Sequence, residues 1–261
     1  SVARTLKWIL VDGVDPRGIV LTTYTKKAAQ SLEQRLVDRL SGLGSGDAVD
    51  ASEVWVGTSH AVWDDIMREF RWEEYLDVEL LDEDAQKFFI RRESDFVGYL
   101  ANGGIHSFDG LIGTRDVWYT SGNGCRKVFA ANAATTLFNR VGQYRVDLDA
   151  LATADDPGLR KLAAAREAYE ESLAEAARCD FTTVQEWFLE FLESTAGRRF
   201  LEGDDERDLP PLTHVLVDEY QDVNPLQEKI YLTLAAAMDT PSITVVGDDD
   251  QSLYRFRGAT V

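Results

Sequence analysis

One stretch constrains this chain more than any other: His214-Val-Leu-Val-Asp218-Glu219, an apolar run that ends in two adjacent carboxylates. A run so short and so apolar reads as a strand buried on both faces, as in a parallel sheet covered by helices. Ligands of open α/β folds bind outside the carboxyl edge of such a sheet, and that is where Asp218 and Glu219 fall. One carboxylate there can hold Mg²⁺, often through water, while its neighbour orients or deprotonates an attacking water. An Asp-Glu pair after a strand also serves as a plain loop start or helix cap. The pair alone leaves both readings open.

The rest of the chain supplies the partners such a strand needs. Val2, Leu6, Ile9 and Leu10 recur at helical spacing until Asp12-Gly13, and Ile19-Val-Leu-Thr22 reads as a buried strand. A helix follows, with Ala28, Leu32, Leu36 and Leu40 on one face. Val54-Trp-Val-Gly57 predicts another strand and Ala61 to Phe70 another helix. Towards the end, a helix from Pro225 to about Met238 separates the first run from a second buried-looking strand, Ser242-Ile-Thr-Val-Val246. Strands alternating with helices predict an α/β fold built on a parallel sheet. Between them the character changes to acidic helical stretches around a Gly-rich middle (Gly103-Gly104, Gly110, Gly113, Ser121-Gly-Asn-Gly124). Asp156-Pro157 then opens a long helix towards Arg178, Val184 to Leu192 is amphipathic, and Glu202 to Pro211 reads as an exposed loop. The expected organisation is one sheet domain, residues 1–75 and 179–261, interrupted by a mostly helical insertion, residues 76–178.

Charge raises an objection to any phosphate-bearing partner. The formal net charge is −19, from 46 Asp and Glu against 27 Lys and Arg, and nucleic-acid binding ordinarily needs a basic footprint. The acid is dispersed along the chain and lysine is scarce, the composition a salt-rich cytoplasm selects, so a halophilic source is expected. No apolar run approaches the ~20 residues of a membrane span and no secretory pattern opens the chain, which predicts a cytoplasmic protein with no membrane partner. Cys125 and Cys179 are far apart with no Cys/His cluster, so neither a disulfide nor zinc is signalled. His106 and His214 are isolated, and Trp8, Trp63 and Trp187 read as core.

Val245-Val-Gly247-Asp-Asp-Asp250-Gln251 decides between the two readings of the carboxylate pair. Gly247 is expected to let the chain turn sharply at the strand end, delivering Gln251 to the same edge as Asp218 and Glu219, within reach of a terminal phosphate. Beyond it, Tyr254, Phe256 and Arg257 interleave rings and a cation as a single-strand binding surface does. These two segments resemble motifs II and III of the UvrD, Rep and PcrA helicases of superfamily 1, usually DEYQDTNxxQ and VGDxDQSIYxWRGA. Thr23-Tyr24-Thr25-Lys26-Lys27-Ala28-Ala29 resembles motif Ia (TFTNKAA), and Gly57-Thr58-Ser59-His60-Ala61 resembles motif Ib (TFHS). Cys179-Asp180-Phe181 is similar to the start of the family's DFDDL segment.

The resemblance implies a RecA-like parallel-sheet domain of the P-loop NTPase type with an inserted helical subdomain. It implies ATP hydrolysis coupled to 3′-to-5′ movement on single-stranded DNA, with ATP and Mg²⁺ as cofactors and a duplex with a 3′ tail as partner. Residue by residue, Asp218 becomes the Mg²⁺ carboxylate, Glu219 the catalytic base and Gln251 the γ-phosphate contact. Tyr24, Thr25, His60, Tyr254, Phe256 and Arg257 become the DNA path. Tyr24 and Phe256 stand for the family's Phe and Trp, and both still stack; Ser59 replaces a Phe and Thr182-Thr183 an acidic pair. The sequence holds no GxGK followed by Ser or Thr. It begins within or just before the helix that follows this loop in the family, and it ends directly after motif III. The chain is therefore expected to be a fragment, inactive alone, completed by the remaining helicase domains of the same polypeptide. A non-catalytic DNA-binding module and a RecB/AddA-like helicase-nuclease are the alternative readings.

Overall fold

A computed structural model of the chain describes residues 2–41, 51–92, 123–238, 240 and 242–248. The elements run α1 (Val2–Leu10), β1 (Ile19–Thr23), α2 (Lys26–Ser41), β2 (Trp55–Thr58) and α3 (Ser59–Glu69). They continue through β3 (Glu79–Leu80), α4 (Glu83–Arg92), α5 (Asn123–Gln143), α6 (Leu148–Ala152), α7 (Pro157–Glu175) and β4 (Arg178–Cys179). The chain then forms α8 (Thr183–Glu193), α9 (Thr195–Glu202), β5 (His214–Asp218), α10 (Pro225–Ala237) and β6 (Ile243–Val246). Two compact units result, Ser1–Leu76 with Val184–Val261, and Asp77–Thr183.

The first unit is α/β, as expected: four strands pair in parallel in the order β2-β1-β5-β6. Thr23 lies opposite Thr58, Ile19 opposite His214, and Asp218 opposite Val246. Every residue of β1 is buried, because successive side chains point to opposite faces and both faces are covered. On one face Ile19, Leu21 and Leu216 pack with Trp8 and Ile9 of α1 and with Leu32, Leu36 and Leu40 of α2. Fully burying each such side chain contributes about 1.5 to 3 kcal/mol. On the other face the Thr22 hydroxyl meets Tyr231 Oη of α10 at 2.9 Å. Trp63 of α3 stacks on Phe188 of α8 with ring centroids 4.3 Å apart. Asn224 caps α10 in a reciprocal box with Gln227, and Pro225 fills the first helical position, where its missing N–H costs nothing.

Two expectations are corrected and one element is added. The apolar run of β6 reads as buried, yet Val245 is 50% exposed and Val246 39%. Among the described residues β6 pairs on the β5 side alone and is an edge strand. The second is the addition, because the sequence pattern assigns no element between Leu192 and Glu202, where the chain forms α9. Ser194 caps the helix by accepting from the Gly197 amide, and Gly197 is required because a Cβ there would overlap the Phe191 carbonyl. The third concerns Trp187, which is only partly buried, whereas Trp8 and Trp63 are core. His214 rests on Trp8 with centroids 4.3 Å apart.

The second unit packs α4, α5 and α7 around Leu81, Phe89, Ile90, Phe138 and Tyr169, with β3 and β4 as a two-residue parallel pair. Asp156 accepts from the Gly158 amide and caps α7. The Gly-rich stretch at 103–122 lies outside the described residues. Asp180 is fully buried. Its Oδ1 accepts from the amides of Thr182 (2.9 Å) and Thr183 (2.8 Å) and from the Thr183 hydroxyl (3.0 Å). Its Oδ2 accepts from Gln86 Nε2 at 2.7 Å and Tyr169 Oη at 2.8 Å. Burying a carboxylate is tolerable only with this degree of compensation. Among the described residues no helix is long and apolar enough to cross a membrane, and Cys179 is a buried free thiol.

Candidate functional site

Because the four strands are parallel, their carboxyl ends, Thr58, Thr23, Asp218 and Val246, share one edge of the sheet. Helices α2, α3 and α10 all begin at that edge. The connection through α2 leads outward from β1 to β2, and the one through α10 leads outward from β5 to β6. The order therefore reverses between β1 and β5, the switch point at which open sheets of this kind bind their ligands. Asp218 stands half-buried on one side of it and Thr23, one position beyond the Thr22–Val217 pair, on the other.

Glu219, exposed, holds a left-handed backbone conformation, φ 58° and ψ 45°. A residue with a Cβ pays about 1 to 2 kcal/mol for this, and the geometry redirects the side chain at the strand end. The chain then winds through a single 3₁₀ turn, Tyr220–Asp222, which brings Gln221 back over the strand ends. Gln221 is 7% exposed. Its Nε2 donates to Glu219 Oε2 at 2.6 Å, and its Oε1 accepts from the Asp248 main-chain N–H at 3.0 Å. The side-chain amide thus links the carboxylate after β5 to the backbone after β6.

This arrangement also corrects the reading of Gly247. Its φ is not in the left-handed region, so the turn does not require glycine. Space does: a Cβ at Gly247 would stand 2.6 Å from Gln221 Oε1. Glycine is there to admit the Gln221 side chain.

Among the described residues the buried Thr23 Oγ1 has no hydrogen-bond partner, although neighbouring Thr22 finds Tyr231. Burial pushes the Tyr231 hydroxyl up to about 12, so it stays protonated throughout the physiological range. Gln227 Nε2 donates to Ser59 Oγ at 2.9 Å, tying the first turn of α10 to that of α3.

The expected DNA-path residues lie partly on this edge. Tyr24 and Thr25 follow β1 and His60 follows the adjacent β2, so these three share the edge. Thr25 Oγ1 accepts from the Ala28 amide at 3.1 Å, which makes it a cap of α2. His60 Nε2 lies 3.2 Å from the Thr58 hydroxyl. Burial, and next the Lys26 charge, pull its pKa down to about 4. His60 is neutral near pH 7 and offers a ring and a hydrogen bond, not a charge. Gln251, Tyr254, Phe256 and Arg257 lie outside the described residues. Among the described residues no group of three or more His, Cys, Asp or Glu side chains is arranged to hold a metal. That is compatible with Mg²⁺, which in nucleotide sites is held by one or two carboxylates with phosphates and water.

The first unit is thus an α/β domain whose parallel sheet carries a carboxylate pair at its switch point. The family model described as UvrD/REP helicase N-terminal domain matches residues 2–261. The chain belongs to this family. Among curated proteins it is 24% identical to DNA helicase II of Haemophilus influenzae over 100% of this chain and 31% of that protein. It is 27% identical to the ATP-dependent DNA helicase SRS2 of Saccharomyces cerevisiae over 98% of this chain and 21% of that protein. A third relative, an ATP-dependent helicase/nuclease from Carboxydothermus hydrogenoformans, is 35% identical over 45% of this chain and 9% of its own length. The chain spans less than a third of the length of these relatives.

Proposed function

We propose that this chain supplies the Mg²⁺-holding and water-activating edge of an ATP-driven motor that moves 3′ to 5′ along single-stranded DNA. The observation that carries the reading is the Asp218-Glu219 pair at the switch point of the sheet, with Glu219 turned by its left-handed backbone and held by Gln221. Asp218, at the strand end, is the carboxylate for Mg²⁺; the ion, when bound, screens the phosphate oxygens. Glu219 accepts the proton of the attacking water through the oxygen that Gln221 does not hold. Tyr24 stacks on a base, and neutral His60 contacts the strand by hydrogen bonding. Gln251 senses the γ-phosphate, and Tyr254, Phe256 and Arg257 complete the DNA path. Residues 1–75 and 179–261 are the motor domain and residues 76–178 its insertion.

In the full-length protein, Glu219→Gln is expected to lower ATP turnover by a factor on the order of 10² or more while leaving nucleotide binding intact. Single-turnover hydrolysis near the wild-type rate would sink the reading. The 261-residue chain by itself is expected to turn over no ATP. Phosphoryl transfer relies on cations to neutralise the γ-phosphate, and the sequence contains no lysine in a phosphate loop. A second reading, part of a helicase-nuclease, is supported by the likeness to the Carboxydothermus protein. Nuclease activity in the full-length protein would select it.

A further inference from the structure

Resting on the proposed role of Glu219, we infer that Gln221 is a positioning residue that sets the direction of the Glu219 carboxylate and ties it to the turn after β6. Three observations converge. Glu219 is exposed and sits on a left-handed backbone, so its side chain has no packing to fix it. The one hydrogen bond that orients it among the described residues is the 2.6 Å donation from Gln221. Gln221 is itself immobilised by burial and by the Asp248 N–H on its other end. Glutamine is required on this reasoning, because the group must donate to a carboxylate and accept from a main-chain amide at once. A carboxylate cannot do the first and a lysine cannot do the second.

The chemical consequence concerns both ends of the amide. A donor on Oε2 leaves Oε1 as the face open to water. The acceptor end makes the orientation of Glu219 depend on where the Gly247–Asp248 backbone stands. Gln251, the proposed γ-phosphate contact, follows Asp248 by three positions. A shift of this turn with the phosphate would then be transmitted through Gln221 to Glu219. Gly247 keeps the path open by lacking a Cβ.

The test uses full-length protein with wild type, Gln221→Ala, Gln221→Glu, Gly247→Ala and Glu219→Gln. Gln221→Ala and Gly247→Ala are expected to lower kcat for ATP hydrolysis by on the order of 10- to 100-fold, with KM for ATP within about twofold, because orientation and not binding is lost. Gln221→Glu can no longer donate to Glu219 and should lower kcat to a similar extent, with KM for ATP again within about twofold. In the Glu219→Gln background, Gln221→Ala should add little further loss, since the two act on one step. Melting curves identify any variant that merely unfolds, and Gln221→Glu, nearly the same size, keeps the test alive if Gln221→Ala does so. Near-wild-type kcat in folded Gln221→Glu, or additive losses in the double variant, would overturn the role of Gln221. Wild-type turnover by Glu219→Gln would instead overturn the role of Glu219 on which it rests.

Discussion

Asp180 offers the sharpest test of how the second unit is held together. Its carboxylate receives five donors, the amides of Thr182 and Thr183, the Thr183 hydroxyl, Gln86 Nε2 and Tyr169 Oη. All of these residues are buried. Asp180→Ala removes the acceptor of all five donations at about 1 to 3 kcal/mol each, but Gln86 Nε2 keeps Asn139 Oδ1 and Tyr169 Oη, hydroxyls rotate and water enters, so about 4 kcal/mol is expected. Asp180→Asn keeps an oxygen towards Thr182 and Thr183 and turns an NH₂ towards Gln86 and Tyr169. Tyr169 can turn to accept, whereas Gln86 Nε2 is left donor against donor, for an expected cost of about 2 kcal/mol. Tyr169→Phe removes one bond to a charged acceptor and should cost about 1.5 kcal/mol or more. Urea midpoints at constant m-value give these differences, and hydrogen exchange assigns them to residues 77–183. If Asp180→Asn lies within about 0.5 kcal/mol of wild type, the carboxylate is not the organising acceptor.

Other perturbations follow from the same geometry. Thr23→Val removes a buried hydroxyl that has no partner among the described residues and is expected to stabilise the chain by up to about 1 kcal/mol; a loss of that size in urea denaturation would reveal a hidden partner. His60 is depressed from 6.5 to about 4, so the unfolded chain binds the extra proton and stability should fall as pH drops from about 6.5 to 4. The slope is at most about 1.4 kcal/mol per pH unit, and His60→Asn should flatten it in midpoints taken across that range. The dispersed negative charge should make the melting temperature rise from dilute buffer to molar KCl, and a flat or falling series would remove the halophile argument.

How far the sequence could be read depends on whether the information was local. The strands β1, β2 and β5 were legible because apolar runs of this length between helical periodicities leave few alternatives, and Asp218-Glu219 were legible because they end such a run. Gln221 was not, since its meaning lies in a contact with Asp248 across 27 positions. Gly247 was seen but misread: turn chemistry and a steric vacancy both select glycine, and only the position of Gln221 tells them apart. Asp180 meets Gln86 across 94 positions, so its place as a buried hub could not be inferred from its neighbours. The exposure of β6 was hidden for another reason, because an edge strand and an interior strand share the same apolar composition.

The common starting edge of α2, α3 and α10 bears on the objection raised by the chain's acidity. Each helix start carries roughly half a positive charge from its aligned peptide dipoles, so three of them contribute roughly +1.5 along the edge where Asp218 and Glu219 contribute −2. The helix starts thus offset much of the charge of this carboxylate pair. Salt screens the scattered surface carboxylates over about 10 Å at 0.1 M and about 3 Å at 1 M, while fixed dipoles at the sheet edge act at contact range. A chain of net charge −19 is in this way repulsive to a polyanion at a distance and far less so at contact with this edge, and the distant repulsion fades as ionic strength rises.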